Sequence, residues 1–304
     1  MPRPCLFHRW QAELAWKFYS WSDALLPSSS EWIASQPVEM KLAANLTMMF
    51  QEAGSLLSRY EAAAEAGFKC VECVSPYEIP MDELAKVKER LGLEQVLINS
   101  PRGKTDMSGA GFGFACIPDL TAQFRDSIDT AISYAKTLKC PRIHVMAGVS
   151  PSDKLRVQAE EAYTENIRYA ANTMANEGIT CLIEPINRYS IPGYFLFSYD
   201  QALGYITRLK CPNLKLQLDI FHAQQICGNL TRTIQQCMPH IGHIQVAQVP
   251  NRHEPDSPGE VSFDYVFDLL RAEGYSDFIG CEYSPMSSTA GGLGWIERYS
   301  LAIA

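Results

Sequence analysis

The stretch ITCLIEPINRYSIPGYFLFSYDQALGYITRLKCPNLKLQLD, residues 179–219, sets the reading of the whole chain. A short run of β-forming apolar residues, ITCLIE (179–184), stops on a carboxylate. A loop with Pro, Gly and aromatic residues follows, then a segment of helical period over 199–210. A second β-rich run, LKLQLD (214–219), again ends on a carboxylate. Strand, helix, strand in that order implies parallel pairing, because the chain must cross back over the sheet before the next strand begins. The same beat continues in both directions. KLAANL (41–46), KCVECV (69–74), LEQVLIN (93–99) and RIHVMAG (142–148) lie upstream, and HIGHIQ (240–245) and DFIGCE (277–282) downstream.

Helical stripes separate these runs. Leu56, Leu57, Tyr60 and Ala64 stop at Gly67, and Met81 to Leu91 stop at Gly92. A longer stripe starts near Pro118 and carries Leu120, Phe124, Ile128, Ile132, Ala135 and Leu138. Another carries Leu155, Ala159, Ala162, Ala170 and Met174, and further helical segments fall around 224–238 and 263–273. Eight strand units over residues 40–304 match a (β/α)8 barrel of about 250 residues. A doubly wound open sheet would carry a Gly-rich phosphate turn after its first strand, and AANLTMMF (43–50) has none. The Gly-rich GKTDMSGAGFGF (103–114) follows the third strand in a long loop, without the strand–turn–helix setting of a nucleotide site. The expected fold is therefore α/β, a single (β/α)8 TIM barrel over 40–304, with residues 1–39 as an N-terminal extension of no assigned role.

Composition narrows the function classes. The 304 residues are 47% hydrophobic and 20% charged, ordinary for a globular chain. Twenty-six basic against thirty-four acidic residues give a net charge of −8, which disfavours nucleic acid and anionic membrane as partners and leaves a small molecule. No apolar run approaches the roughly 20 residues needed to span a bilayer. Ten cysteines are scattered. Cys70 and Cys73 form a CxxC inside a strand run, where residues three apart face opposite sides, so they read as apolar filler in a reducing, cytoplasmic compartment. Residues 1–37 hold four of the five tryptophans, and their balanced charge does not make a transit peptide.

In the last four units each strand ends on a side chain with oxygen donors: Glu184, Asp219, Gln245 and Glu282. Their spacings of 35, 26 and 37 residues are each one βα unit, which places them side by side on the C-terminal rim where barrel active sites form. A polar strand end alone marks only an exit into solvent, but four in adjacent units suggest a site. Carboxylates so close stay ionised only around a positive charge, and oxygen-rich ligation suits Mg2+ or Mn2+. His222, three residues beyond Asp219, is a substrate donor or supports a ligand. Arg252 and His253, in the loop after Gln245, and Arg188, after Glu184, are candidate substrate contacts, Arg offering paired donors to a carboxylate. His144 reads as a core or barrel-interior histidine.

The segments AANLTMMF, HVMAG, IEPINRYSIPGYF, QLDIFHAQ, GNLT, HIQVAQVPNRHEPDSPGEV and IGCEYSP resemble those of the hydroxypyruvate isomerase family, a branch of the xylose-isomerase-like barrels. The resemblance runs from about Met40 to Trp295. It implies interconversion of 3-hydroxypyruvate and 2-hydroxy-3-oxopropanoate (tartronate semialdehyde) through an enediolate. Glu184 and Glu282 would be the acid–base pair, and a divalent metal, if any, would sit on Glu184, Asp219, Gln245 and Glu282. Gln245 stands where ketose epimerases of the superfamily carry a histidine. No organic cofactor is required, because no net redox change occurs. A related sugar or keto-acid isomerase, a ketose 3-epimerase, a phosphodiester-cleaving barrel and a non-catalytic binding barrel remain as alternatives. Oligomeric state is not legible in the sequence.

Overall fold

The computed structural model describes residues 40–103, 110–149 and 155–303. The extension expected over residues 1–39 lies outside them, as does half of the Gly-rich loop after the third strand. Eight parallel strands close on themselves: β1 (Lys41–Asn45), β2 (Cys70–Cys73), β3 (Glu94–Asn99), β4 (Arg142–His144), β5 (Thr180–Ile183), β6 (Leu214–Asp219), β7 (Ile241–Val246) and β8 (Phe278–Cys281). Each lies within one of the runs read from sequence or extends one residue past it. Between them pack α1 (Leu56–Glu65), α2 (Met81–Arg90), α3 (Thr121–Leu138), α4 (Arg156–Ala175), α5 (Tyr199–Leu209), α6 (Ile220–Ile226), α7 (Leu230–Cys237) and α8 (Phe263–Ala272). A last short helix, α9 (Trp295–Arg298), follows β8.

The helices obey their own signals. Ser55 and Ser198 cap α1 and α5, each side chain accepting the N–H of a residue in the first turn. The single helical segment expected around 224–238 is corrected to two. Asp219 caps α6 directly at the end of β6 through Phe221 N–H, so that helix begins four residues early. Gly228 and Asn229, with φ of 56° and 39°, then break the run before α7.

Two apolar regions result. The larger fills the space between the strands and the helical ring, where Phe124, Tyr163, Phe263, Phe267 and Trp295 are buried. A smaller one joins Ala43, Cys70, Val96, Leu97, Leu182 and Phe278. Cys70 falls in the smaller region and Cys73 in the larger, the opposite-face placement that a strand imposes. At the end of the barrel where the strands begin, the Arg142 guanidinium lies 5.1 Å from the Phe278 ring centre and the Lys41 ammonium 5.6 Å. Arg142 also donates to Gly242 O and pairs with Asp277.

The inside of the barrel is polar toward the rim. Glu72 on β2 accepts hydrogen bonds from His243 Nε2 and Gln245 Nε2 on β7, both at 2.7 Å. Those strands are not neighbours, so the bonds cross the lumen. Gly280 makes room for this arrangement, since a Cβ there would sit 2.6 Å from the Glu72 carboxyl carbon. Gly280→Ala is expected to destabilise the barrel by about 1–3 kcal/mol, the range for overpacking a filled interior. Urea denaturation checks this, and an unchanged midpoint would mean that Glu72 has another place to go.

Candidate active site

β6 ends on Asp219, whose Oδ1 caps α6 at 2.8 Å from Phe221 N. That leaves Oδ2 free to face the rim, and it puts His222 in the first turn on the same side. Glu184 follows β5 and Glu282 follows β8. Arg252 reaches between them from the loop after β7: its Nη2 lies 3.1 Å from Asp219 Oδ2 and 2.9 Å from Glu282 Oε2. The guanidinium also covers the Phe221 ring at 4.8 Å. Arg252 has a left-handed backbone (φ 57°), uncommon without glycine and found at functional sites. Two bonds hold that conformation: Arg252 N–H donates to Gln248 O, and Arg252 O accepts from Ser284 N–H in the loop after β8.

Glu184 and Asp219 are buried and Glu282 nearly so, and crowding three carboxyl groups around one guanidinium disfavours charge on all of them at once. Burial pushes the Glu184 carboxyl well above the usual range, and neighbouring Glu282 and Asp219 add to the shift. Burial also raises Glu282, to about 8, against the pull of Arg252. Asp219 is raised by burial too, with Arg252 and the Phe221 N–H opposing. Arg252 is held above its ordinary value, since Glu282, Asp219 and Glu184 outweigh the effect of its burial. For all three carboxyls burial favours the protonated form, the direction an acid–base site needs.

His222 is fixed as a donor. Asn187 Oδ1 accepts the N–H groups of Tyr189 and Ser190, so its Nδ2 must donate, and it lies 2.7 Å from His222 Nδ1. Burial, with Arg252 and His144 as further causes, lowers His222 well below its usual value and keeps it neutral. With Nδ1 accepting, the proton is on Nε2, which faces Asp219 Oδ2 at 3.6 Å and Glu184 Oε1 at 3.9 Å. His144 is interior, as read from sequence, and stands beside the site with Nδ1 3.5 Å from Glu184 Oε2. Burial lowers it to about 3.

Other residues singled out in the sequence are placed differently. Gln245 is buried below the rim with both amide ends engaged: Oε1 accepts from Gln217 Nε2 at 2.6 Å, and Nε2 donates to Glu72. Arg188 is exposed and stacks on Phe197 at 3.9 Å. His253 bonds Ser284 O through Nδ1 at 2.7 Å, tying the loop after β7 to the loop after β8. Glu72, Asn45, Gln217 and His243 were not singled out in the sequence. Each sits between apolar neighbours in a strand run, and nothing local tells an inward one from a solvent-facing one.

For a divalent ion, ligand atoms of Glu184, Asp219 and His222 lie within 4.8 Å of one another. Glu184 Oε1 is buried with no hydrogen-bond partner among the described residues. These acids fit a hard cation, whereas His222 in the tautomer set by Asn187 presents N–H rather than a lone pair.

A closed parallel barrel with acids clustered on its C-terminal rim is the architecture of the (β/α)8 enzymes. The model of the xylose isomerase-like TIM barrel family matches residues 60–299. The hydroxypyruvate isomerase of Escherichia coli (strain K12) is 41% identical over 260 residues, covering 86% of this chain and 99% of that one. The 2-oxo-tetronate isomerase of Cupriavidus necator is 42% identical over 259 residues, covering 85% and 98%. A crystal structure described as an AP endonuclease, family 2, from Brucella melitensis superposes with a TM-score of 0.81 at 41% identity, covering 86% and 99%. The chain belongs to the xylose isomerase-like TIM barrel family and, within it, to the hydroxypyruvate isomerase branch. It is an isomerase.

Proposed function

We propose that this isomerase interconverts 3-hydroxypyruvate and 2-hydroxy-3-oxopropanoate, with Glu184 and Glu282 as the acid–base pair. The observation that carries the reading is the placement of the pair: Glu184, buried beside Asp219, follows β5, and Glu282, 2.9 Å from the Arg252 guanidinium, follows β8 on the same rim. One carboxylate takes a proton from C3 of hydroxypyruvate. The C–H electron pair becomes the C2–C3 double bond, and the carbonyl pair moves onto O2. The resulting enediolate is protonated at C2 while the O3 proton passes to O2, which leaves the C3 aldehyde and the C2 hydroxyl. Arg252 and the Nε2–H of His222 stabilise the oxygen that gains charge. The Arg252 side chain, partly exposed at the rim, is placed to meet the substrate carboxylate. Arg188 and His253 shape the surrounding loops instead, through Phe197 and Ser284.

Glu184 and Asp219, with Glu282 when it parts from Arg252, would hold a divalent ion such as Mg2+ or Mn2+. When bound, such an ion would polarise the carbonyl and stabilise the enediolate oxygens. The chemistry needs no organic cofactor. The partner is a small hydroxy-keto acid. The nine cysteines among the described residues are free, which supports a reducing compartment such as the cytoplasm. Among the described residues no helix is long and apolar enough to cross a membrane.

The test is NMR of the protein with hydroxypyruvate in D2O. We expect the semialdehyde with solvent deuterium at C2, and exchange at C3 of the remaining substrate. Turnover of 2-oxo-tetronate or a ketose in its place would move the substrate but keep the site. Nicking of abasic DNA without any exchange would replace the reading. A second expectation concerns the extension. Nothing in this mechanism uses residues before Met40, so a protein beginning at Met40 should keep its kcat. Loss of activity in a folded truncation would show that the tryptophan-rich segment reaches the site.

A further inference from the structure

Beneath the acid cluster lies a chain of side-chain hydrogen bonds that the mechanism above does not use. It starts at Glu72, which is fully buried on β2. Its Oε1 accepts from Asn45 Nδ2 and Gln245 Nε2, and its Oε2 accepts from His243 Nε2, each at 2.7 Å. Asn45 is oriented from outside the chain, since its Oδ1 takes Thr47 N–H at 3.0 Å and only its NH2 is left for Glu72.

A carboxylate accepts and does not donate, so its demand passes along the amides. Gln245 must turn its NH2 to Glu72 and its carbonyl to Gln217. Gln217 must then answer with NH2, at 2.6 Å, which leaves its own Oε1 buried and without a partner among the described residues. The strand register carries the chain one step further. Ile183 pairs with Leu216 as the last pair of the β5–β6 ladder, Glu184 and Gln217 are the next residue on each strand, and the Gln217 side chain bears on the Glu184 carboxyl. Glu72 on β2 is thus connected through β7 and β6 to the wall against which the Glu184 carboxyl rests.

We propose that Glu72 is a positioning residue for catalysis: by polarising the Gln245–Gln217 amide chain in one direction, it fixes the hydrogen-bonding face that the protein offers to Glu184. Glu72 touches no substrate. Its effect is on the direction of two amides, and Gly280, by lacking a side chain, leaves room for the carboxylate that imposes it. Glutamine at position 72 would fill the same volume, yet it can donate as well as accept, and so it frees both amides to reverse. The Glu184 carboxyl then meets two alternative walls, only one of which suits proton transfer.

The proposal rests on the isomerase reading only for its kinetic arm. That arm is Glu72→Gln, expected to lower kcat roughly 10–100-fold, the range for removing an outer hydrogen-bond partner. KM and thermal midpoint should stay near wild type. Glu72→Gln combined with Gln217→Met should be no slower than Gln217→Met alone, because both break one chain. The second arm needs no activity: side-chain NH2 resonances of Gln217 and Gln245 in the 15N-labelled protein, assigned by their loss in Gln217→Met and Gln245→Met. We expect one exchange-protected set in wild type, and shifted or doubled sets in Glu72→Gln. If Glu72→Gln does not fold, Gln245→Met breaks the same chain at its middle link and should give the same kcat-only loss. Unchanged kcat with unchanged amide resonances, or losses that add in the double variant, would overturn the proposal. An inactive wild type whose amide resonances respond as expected would remove the isomerase reading and leave the polarised chain standing.

Discussion

We expect Glu184→Gln and Glu282→Gln each to lower isomerase turnover by about 10³–10⁴-fold while the barrel stays folded. A positioned acid or base contributes roughly 10²–10⁴-fold, and these two carboxyls sit where few other groups could replace them. Glu184 is buried, and the two histidines beside it are His144 at 3.5 Å and His222 at 3.9 Å. Burial and His243 keep His144 neutral, and Asn187 commits His222 as a donor. An amide at 184 or 282 retains shape and loses the titratable proton. The fold should not suffer, because replacing one of three crowded carboxyls relieves repulsion. The measurement is steady-state turnover beside the circular dichroism spectrum and thermal midpoint. Near wild-type rates in either folded variant would sink the acid–base assignment.

Arg252→Met removes the cation that Asp219 and Glu282 share, and we expect kcat/KM to fall by about 10²–10³-fold, as when an oxyanion donor is deleted. Two effects act together. The enediolate loses a charged donor, and Asp219 and Glu282 lose the charge that opposes their burial, so both bind protons more tightly. Arg252→Lys should recover part of the loss, since an ammonium restores charge without the planar fork that reaches two carboxylates from one nitrogen. Full activity in Arg252→Met would mean that the guanidinium only braces the loop after β7. In that case the effect should appear as a lower thermal midpoint instead.

Much of the architecture is local and was legible. Strand and helix periods differ, so alternating runs declared eight units, and the rule that barrel sites form where strands end pointed to Glu184, Asp219 and Glu282. Asp219 also shows how one residue can carry two signals. Its place at a strand end was visible, but its role as the N-cap of α6 was not, because the helix was expected to begin near residue 224. Gln245 shares the strand-end pattern of the three acids and behaves differently. The β6–β7 register, shifted between Leu216 and Gln217, sets it beside Asp219, while its amide turns down to Glu72 and Gln217.

The sequence by itself determined the (β/α)8 class, the order of the units and the carboxylates of the rim, because hydrophobic period and strand-end position are properties of neighbouring residues. Only the tertiary structure decided which polar groups meet. Glu72 finds Asn45 across 27 residues, His243 across 171 and Gln245 across 173. Arg252 reaches Asp219 across 33 residues and Glu282 across 30. Such partners face one another only after the sheet has closed. The energy that selects them is the penalty for burying an unpaired polar group, which does not exist until water has left the lumen.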